Sequence, residues 1–214
     1  MRTKLSKTGV LLVALAIGSL VALPVSAQSK ESQKSVESLN AVLKSIEKGR
    51  GEVQAAMDSL QALGSGGDAN LSKNYKSFTK SVDSLNKTRE TVVSKAEDMR
   101  ARREEYLAAW QKKSSEVTNP EMQAHMQERA EAVKQVFESL QPAGDALRTA
   151  FPPFLSDLND ISKMLSVDLS TAGVTAAKPI ADKVVANGNI ILESLGTYIT
   201  TLTQIRDQVA PPKK

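Results

Sequence analysis

The stretch LSKNYKSFTKSVDSLNKTRETVVSKAEDMRARREEYLAAWQKKSSEV, residues 71–117, decides the fold. Apolar residues return along it at alternating steps of four and three: Leu71, Tyr75, Phe78, Val82, Leu85, Val92, Ala96, Met99, Tyr106, Trp110 and Val117. That spacing puts them on one stripe of a single helix, in the heptad rhythm of a coiled coil. Arg89, Arg103 and Lys113 fill the remaining slots, so 11 of 14 seam positions are apolar. At 1.5 Å per residue the helix is about 70 Å long. A rod with one apolar stripe must be covered by other helices.

The rest of the chain supplies them. Leu39, Val42, Ile46, Val53, Ala56, Leu60 and Leu63 repeat the rhythm and predict a first helix over 29–63. It is continuous through Gly49-Arg50-Gly51, because the register is the same on both sides. Gly64-Ser65-Gly66-Gly67-Asp68 ends it, glycine being both terminator and connector. Thr118-Asn119-Pro120-Glu121 closes the second helix and opens the third, with Asn119 as N-cap and Pro120 in the first helical position. The third segment carries Met122, Met126, Val133, Val136, Leu140 and Leu147, with Arg129 in one slot. Pro142 predicts a kink or break near Gln141, because proline removes a donor and crowds the preceding turn. Phe151-Pro152-Pro153-Phe154 is a second interruption before Leu155, Leu158, Ile161 and Leu165 restore the spacing. The segment reads as one bent helix or two.

From Val174 to Val209 every seam step is three or four, which predicts one last helix through Pro179 and Asn187-Gly188-Asn189. Gly188 lies on that seam, where a neighbouring helix has room to come close. No stretch alternates with period two. The fold class is all-α: an elongated antiparallel up-and-down helical bundle with coiled-coil character and a left-handed twist. It forms a single domain over residues 28–209, followed by a disordered tail, 210–214.

The start of the chain bears on compartment. Arg2, Lys4 and Lys7 precede the apolar run Val10 to Val25, which closes on Val25-Ser26-Ala27. This is the order of a secretory signal peptide, residues 1–27, cleaved between Ala27 and Gln28. A retained anchor would need about 20 apolar residues, and Gly18 and Pro24 interrupt this run. The expected location is therefore periplasmic or secreted, with no stable membrane anchor after cleavage. Three of the 28 basic residues lie in the leader, leaving 25 against 24 acidic ones. So near-neutral a chain gives no support for nucleic-acid binding. With no cysteine there is neither a disulfide nor a lipid attachment site.

Catalytic chemistry finds little to use. The chain has one histidine, so a Ser-His-Asp or His-rich metal arrangement has only His125 to draw on. Glu121, His125 and Glu128 share a helix face, but a di-metal bundle site needs Glu-x-x-His on two helices, and a solvated face is the better reading. Asp157 and Asp160 with Lys163 read as a surface ion-pair ladder. Gly64-Ser65-Gly66-Gly67 lacks the Lys-Ser/Thr of a phosphate loop. Tyr75, Phe78, Tyr106 and Trp110 read as core packing. No enzyme, cofactor or metal site is expected. Arg89 and Arg103 are the oddities, because an unpaired charge on a seam is expensive. Three readings compete for them: pairing with acids of a neighbouring helix, stems on the core with heads in water, or an anion or partner contact together with Trp110.

The order of residues also resembles a known family. Tyr106 to Trp110, the break at Thr118-Asn119, and Pro153-Phe154-Leu155 followed by Leu158, Asp160, Leu165, Leu169 and Val174 are similar to a bacterial family catalogued as a domain of unknown function, number 2959. The resemblance spans most of the chain after the leader. It implies an exported, all-helical, coiled-coil-like protein. Many members look like lipoproteins, whereas this chain lacks the lipobox cysteine, which implies a soluble periplasmic form. The Asn-rich stretch of the family is here Ser166-Val167-Asp168-Leu169-Ser170, a partial match. No activity, substrate or catalytic residue follows from the resemblance. Two functions are expected to compete: an interaction or structural protein of the cell envelope with protein partners, or an extracytoplasmic bundle that binds a small ligand. Any apolar seam left uncovered within one chain predicts self-association.

Overall fold

The computed structural model describes residues 30–210, and the expected leader and the residues after Ala210 lie outside them. Five helices follow one another: α1 (Lys30–Ser65), α2 (Gly67–Ser115), α3 (Pro120–Glu138), α4 (Gln141–Val167) and α5 (Thr171–Val209), with no strand among the described residues. The helices pack into the expected all-α bundle. α1 lies against α2 and α5, α4 against α5, and α2 reaches both α3 and α4. Neighbours run antiparallel. Asn74 of α2 donates to the Ala62 carbonyl of α1, while Gly49 stands opposite Thr88 and Val92. Trp110 bonds the Met126 carbonyl of α3, and Tyr75 bonds the Ser162 carbonyl of α4.

The third segment is two helices. α3 ends at Glu138, and Ser139 and Leu140 form the break before Pro142 in the first turn of α4. Proline costs nothing there, where its missing N–H would have had no partner. α4 then continues through Pro152 and Pro153, against the expected second interruption. Both prolines are exposed, and the carbonyls they orphan, on Arg148 and Thr149, belong to exposed residues that water reaches. Pro179 passes through α5 for the same reason. α2 begins at Gly67, where a positive φ of 56° suits glycine. Asn119 caps α3 as expected, accepting from the amides of Glu121 and Met122 at 2.9 and 3.2 Å.

One core joins all five helices, with Phe78, Phe154, Leu158, Ile191 and Leu202 almost wholly buried. Gly188 sits at its tightest point. A Cβ there would strike the Met57 thioether of α1 and lie 3.1 Å from the Phe154 ring of α4. The glycine therefore sets how closely α5 meets both neighbours. Gly51, by contrast, faces open space on an exposed turn of α1.

The two glycines should respond oppositely to substitution. Gly188→Val should destabilise by about 1–3 kcal/mol through overpacking, while Gly51→Ala should stabilise by about 0.5–1 kcal/mol through helix propensity. Urea unfolding of the two variants measures both.

Candidate interaction site on the long hairpin

α2 and α3 carry the residues singled out by sequence. Arg89 is exposed, and Thr88, 2% exposed, takes the inward position next to it. The same exchange occurs at the end of α2, where Ser114 is buried and Lys113 is exposed. The seam therefore does not run through Arg89 and Lys113. The reason at Thr88 lies on α1: Gly49 has no side chain, and the Thr88 methyl stands 3.8 Å from where its Cβ would be. α1 thus settles over Thr88 and leaves Arg89 to solvent. Thr88 Oγ1 and Ser114 Oγ are buried without a hydrogen-bond partner. Sequence spacing missed both; at Thr88 the glycine opposite was the available signal.

Arg103 is half-buried. Its guanidinium pairs with the adjacent Glu104 rather than with an acid on another helix, and lies 5.8 Å from the Phe137 ring centroid of α3. Beside it is a cavity of about 10 Å³, lined by Leu39, Tyr106, Phe137 and Val209 among others. That is room for about one water. Arg89 lies 14 residues away on the same helix, about 21 Å at 1.5 Å per residue, so the two arginines do not converge on one anion.

Trp110 ties α2 to α3. Its indole N–H donates to the Met126 carbonyl at 2.7 Å, its ring lies 5.9 Å from that of Tyr106, and the Arg129 guanidinium is 5.7 Å from its centroid. Arg129, expected in a seam slot, is exposed and covers the indole. At the end of α2, Lys113 and Glu116 bond at 2.9 Å, which raises the amine's pKa and lowers the carboxyl's. His125 Nδ1 stands 3.4 Å from Glu128, both exposed, and Lys163 is 3.5 Å from Asp160. Among the described residues no group of three or more His, Asp or Glu is arranged to hold a metal.

Two further features went unforeseen. At the opposite end of the bundle an open hollow of about 560 Å³ is lined by Leu71, Ser72 and residues 169–172. Higher up, Tyr198 of α5 is largely buried near Arg100 and Arg148, and burial raises its phenol pKa against the lowering pull of the two arginines.

In comparison with known proteins, the family model described as "Protein of unknown function (DUF2959)" matches residues 28–204. No curated protein and no solved structure matches the chain.

Thr88→Val keeps the shape and removes the unpaired hydroxyl, so it should stabilise by about 1 kcal/mol, whereas Arg89→Ala should stay within about 0.5 kcal/mol of the parent. Calorimetric melting separates them. Tyr198, the buried one of the shifted groups, supplies a pH dependence at the alkaline end. Its folded pKa lies above the ordinary value of 10.0, so its stability contribution is whole below pH 10 and is lost as the pH rises through the folded value. Melting temperature should fall above pH 10, and less steeply in Tyr198→Phe.

Proposed function

We propose, for a chain that belongs to the DUF2959 family of proteins of unknown function, a non-enzymatic interaction or structural role in the cell envelope, as an exported helical spacer. The observation that carries this reading is the filled interior. Phe78, Phe154, Leu158, Ile191 and Leu202 close the core, and the space beside Arg103 holds about one water. A bundle built to carry a small ligand needs a cavity of several hundred Å³ with converging polar groups. The alternative, a ligand-binding bundle, has the open hollow beside Leu71 in its favour.

Export rests on the leader-like order of residues 1–27 and on where the family match begins. That match starts at Gln28, the residue that follows the expected cleavage. No described helix is long and apolar enough to cross a membrane. Arg89, exposed on α2, and the rim of Arg103 and Trp110 are the partner contacts within this reading.

Expression of the full chain with a C-terminal tag tests it. The released protein should leave the cell by osmotic shock with a mass that begins at Gln28, and crosslinking in the intact envelope should give discrete protein adducts. Uncleaved protein held in the membrane fraction, or a chain that yields no adduct and binds a small molecule at one-to-one stoichiometry, overturns it.

A further inference from the structure

Sequence spacing places Met122 on the seam of the third segment, whereas in the structure it is 49% exposed near the start of α3. It is the one exposed methionine among the described residues: Met57 and Met99 are buried in the core, and Met126 and Met164 are partly covered. Three residues beyond Met122 stands the chain's single histidine, His125, whose side chain is 67% exposed. Residues three apart share a helix face, and helical side chains lean toward the N-terminus. The His125 imidazole therefore leans over the turn that carries Met122.

Glu128 decides which ring nitrogen is left to bind. Its carboxylate stands 3.4 Å from His125 Nδ1. An ionised carboxylate only accepts, so Nδ1 carries the proton, and in the neutral imidazole Nε2 keeps its lone pair. A carboxylate holding one ring nitrogen is the usual device for orienting a metal-binding imidazole. One turn of α3 thus offers an imidazole nitrogen and a thioether, both neutral donors.

Such a pair selects among ions. Mg²⁺ and Ca²⁺ need oxygen ligands and Zn²⁺ a fuller set of donors, and no group of three or more His, Asp or Glu among the described residues could hold one. Thioether sulfur lies outside that set. Thioether and imidazole suit a soft, closed-shell monovalent ion, which accepts linear coordination by two donors. Met126, four residues beyond Met122, is the next thioether along the helix. Glu121 and Glu128 share the face of His125, and their charges offset the repulsion that the N-terminal end of a helix dipole exerts on a cation. Arg129, the next cation along the helix, lies over the Trp110 ring.

We propose that Met122 and His125 form a binding site for a soft monovalent cation, Cu(I) or Ag(I), with Glu128 positioning the imidazole. The donors are neutral and the chain has no cysteine, so binding is weaker than at a thiolate site and is not masked by one. The site goes beyond the spacer role and does not rest on it.

Silver(I) nitrate in chloride-free buffer is the probe, because it is stable in air. Added to the mature chain with isotope-labelled methionine methyls, it should shift the Met122 methyl and His125 ring-proton resonances together and saturate at one ion per chain, while the Met57 and Met99 methyls stay in place. Met122→Leu and His125→Gln, both at exposed positions that the fold tolerates, should each weaken binding about tenfold or more. Glu128→Ala should weaken it about tenfold, and Glu128→Gln, which still offers Nδ1 an acceptor, should restore most of the affinity. Met164→Leu on α4 should leave it unchanged, and Cu(I) added without oxygen should move the same two resonances. Unchanged affinity in Met122→Leu, shifts confined to His125, Zn²⁺ bound at this turn as tightly as Ag(I), or Cu(I) that moves neither resonance overturns the proposal. Export and envelope adducts, scored separately, would then still decide the spacer role.

Discussion

The architecture depends on how α2 is fixed along its length. Near its start Asn74 and Tyr75 bond carbonyls of α1 and α4, and near its end Trp110 bonds a carbonyl of α3. Every ion pair among the described residues joins positions no more than four apart in sequence. Such exposed local pairs add a few tenths of a kcal/mol to a helix and say nothing about its neighbours. The register between helices therefore comes from packing and from these side-chain-to-carbonyl bonds. A carbonyl within a helix has a spare lone pair, so α2 gains a partner at each end without breaking the helix it meets.

Between the fixed ends, distance is set by small residues. Gly49 lets α1 settle on Thr88 and Val92, and Gly188 lets Met57 and Phe154 reach the middle of the bundle. Each glycine gives up about 1 kcal/mol of helix propensity relative to alanine. Apolar contact made at close range offsets that cost. The prolines follow the complementary rule. Pro152, Pro153 and Pro179 all face solvent, where water can bond the carbonyls they leave free.

These two rules explain what the amino-acid pattern disclosed and what it hid. Heptad spacing gives helix type, number of seams and antiparallel order, because burying a stripe on each helix admits few other solutions. Asn119-Pro120 is legible because the cap is local chemistry. The exchange of Arg89 for Thr88 is not, since both positions lie between Leu85 and Val92 at acceptable steps, and the choice is made by a glycine on another helix. Continuity through Pro152-Pro153 was hidden for a like reason: proline's cost depends on whether water reaches the carbonyl four residues back. Trp110 was recognised as notable, but its neighbours Arg129 and Met126 belong to α3, and spacing along α2 does not reveal them.

The outcome is a molecule with two unlike sides. The outer face of α2 is dense in charge, with Arg100, Arg102, Glu104 and Glu105 within six residues, and it stays hydrated because each charge costs more to strip of water than a contact returns. The outer face of α5 carries one charge, Glu193, between Val184 and Ile205, and its exposed Thr197 and Thr200 hold their hydroxyls against carbonyls of their own helix. Both faces belong to helices that bury a seam on their other side, so packing within one chain does not require the difference. Desolvation cost distinguishes them: the charges along the outer face of α2 hold water more tightly than the hydroxyls and amides along that of α5.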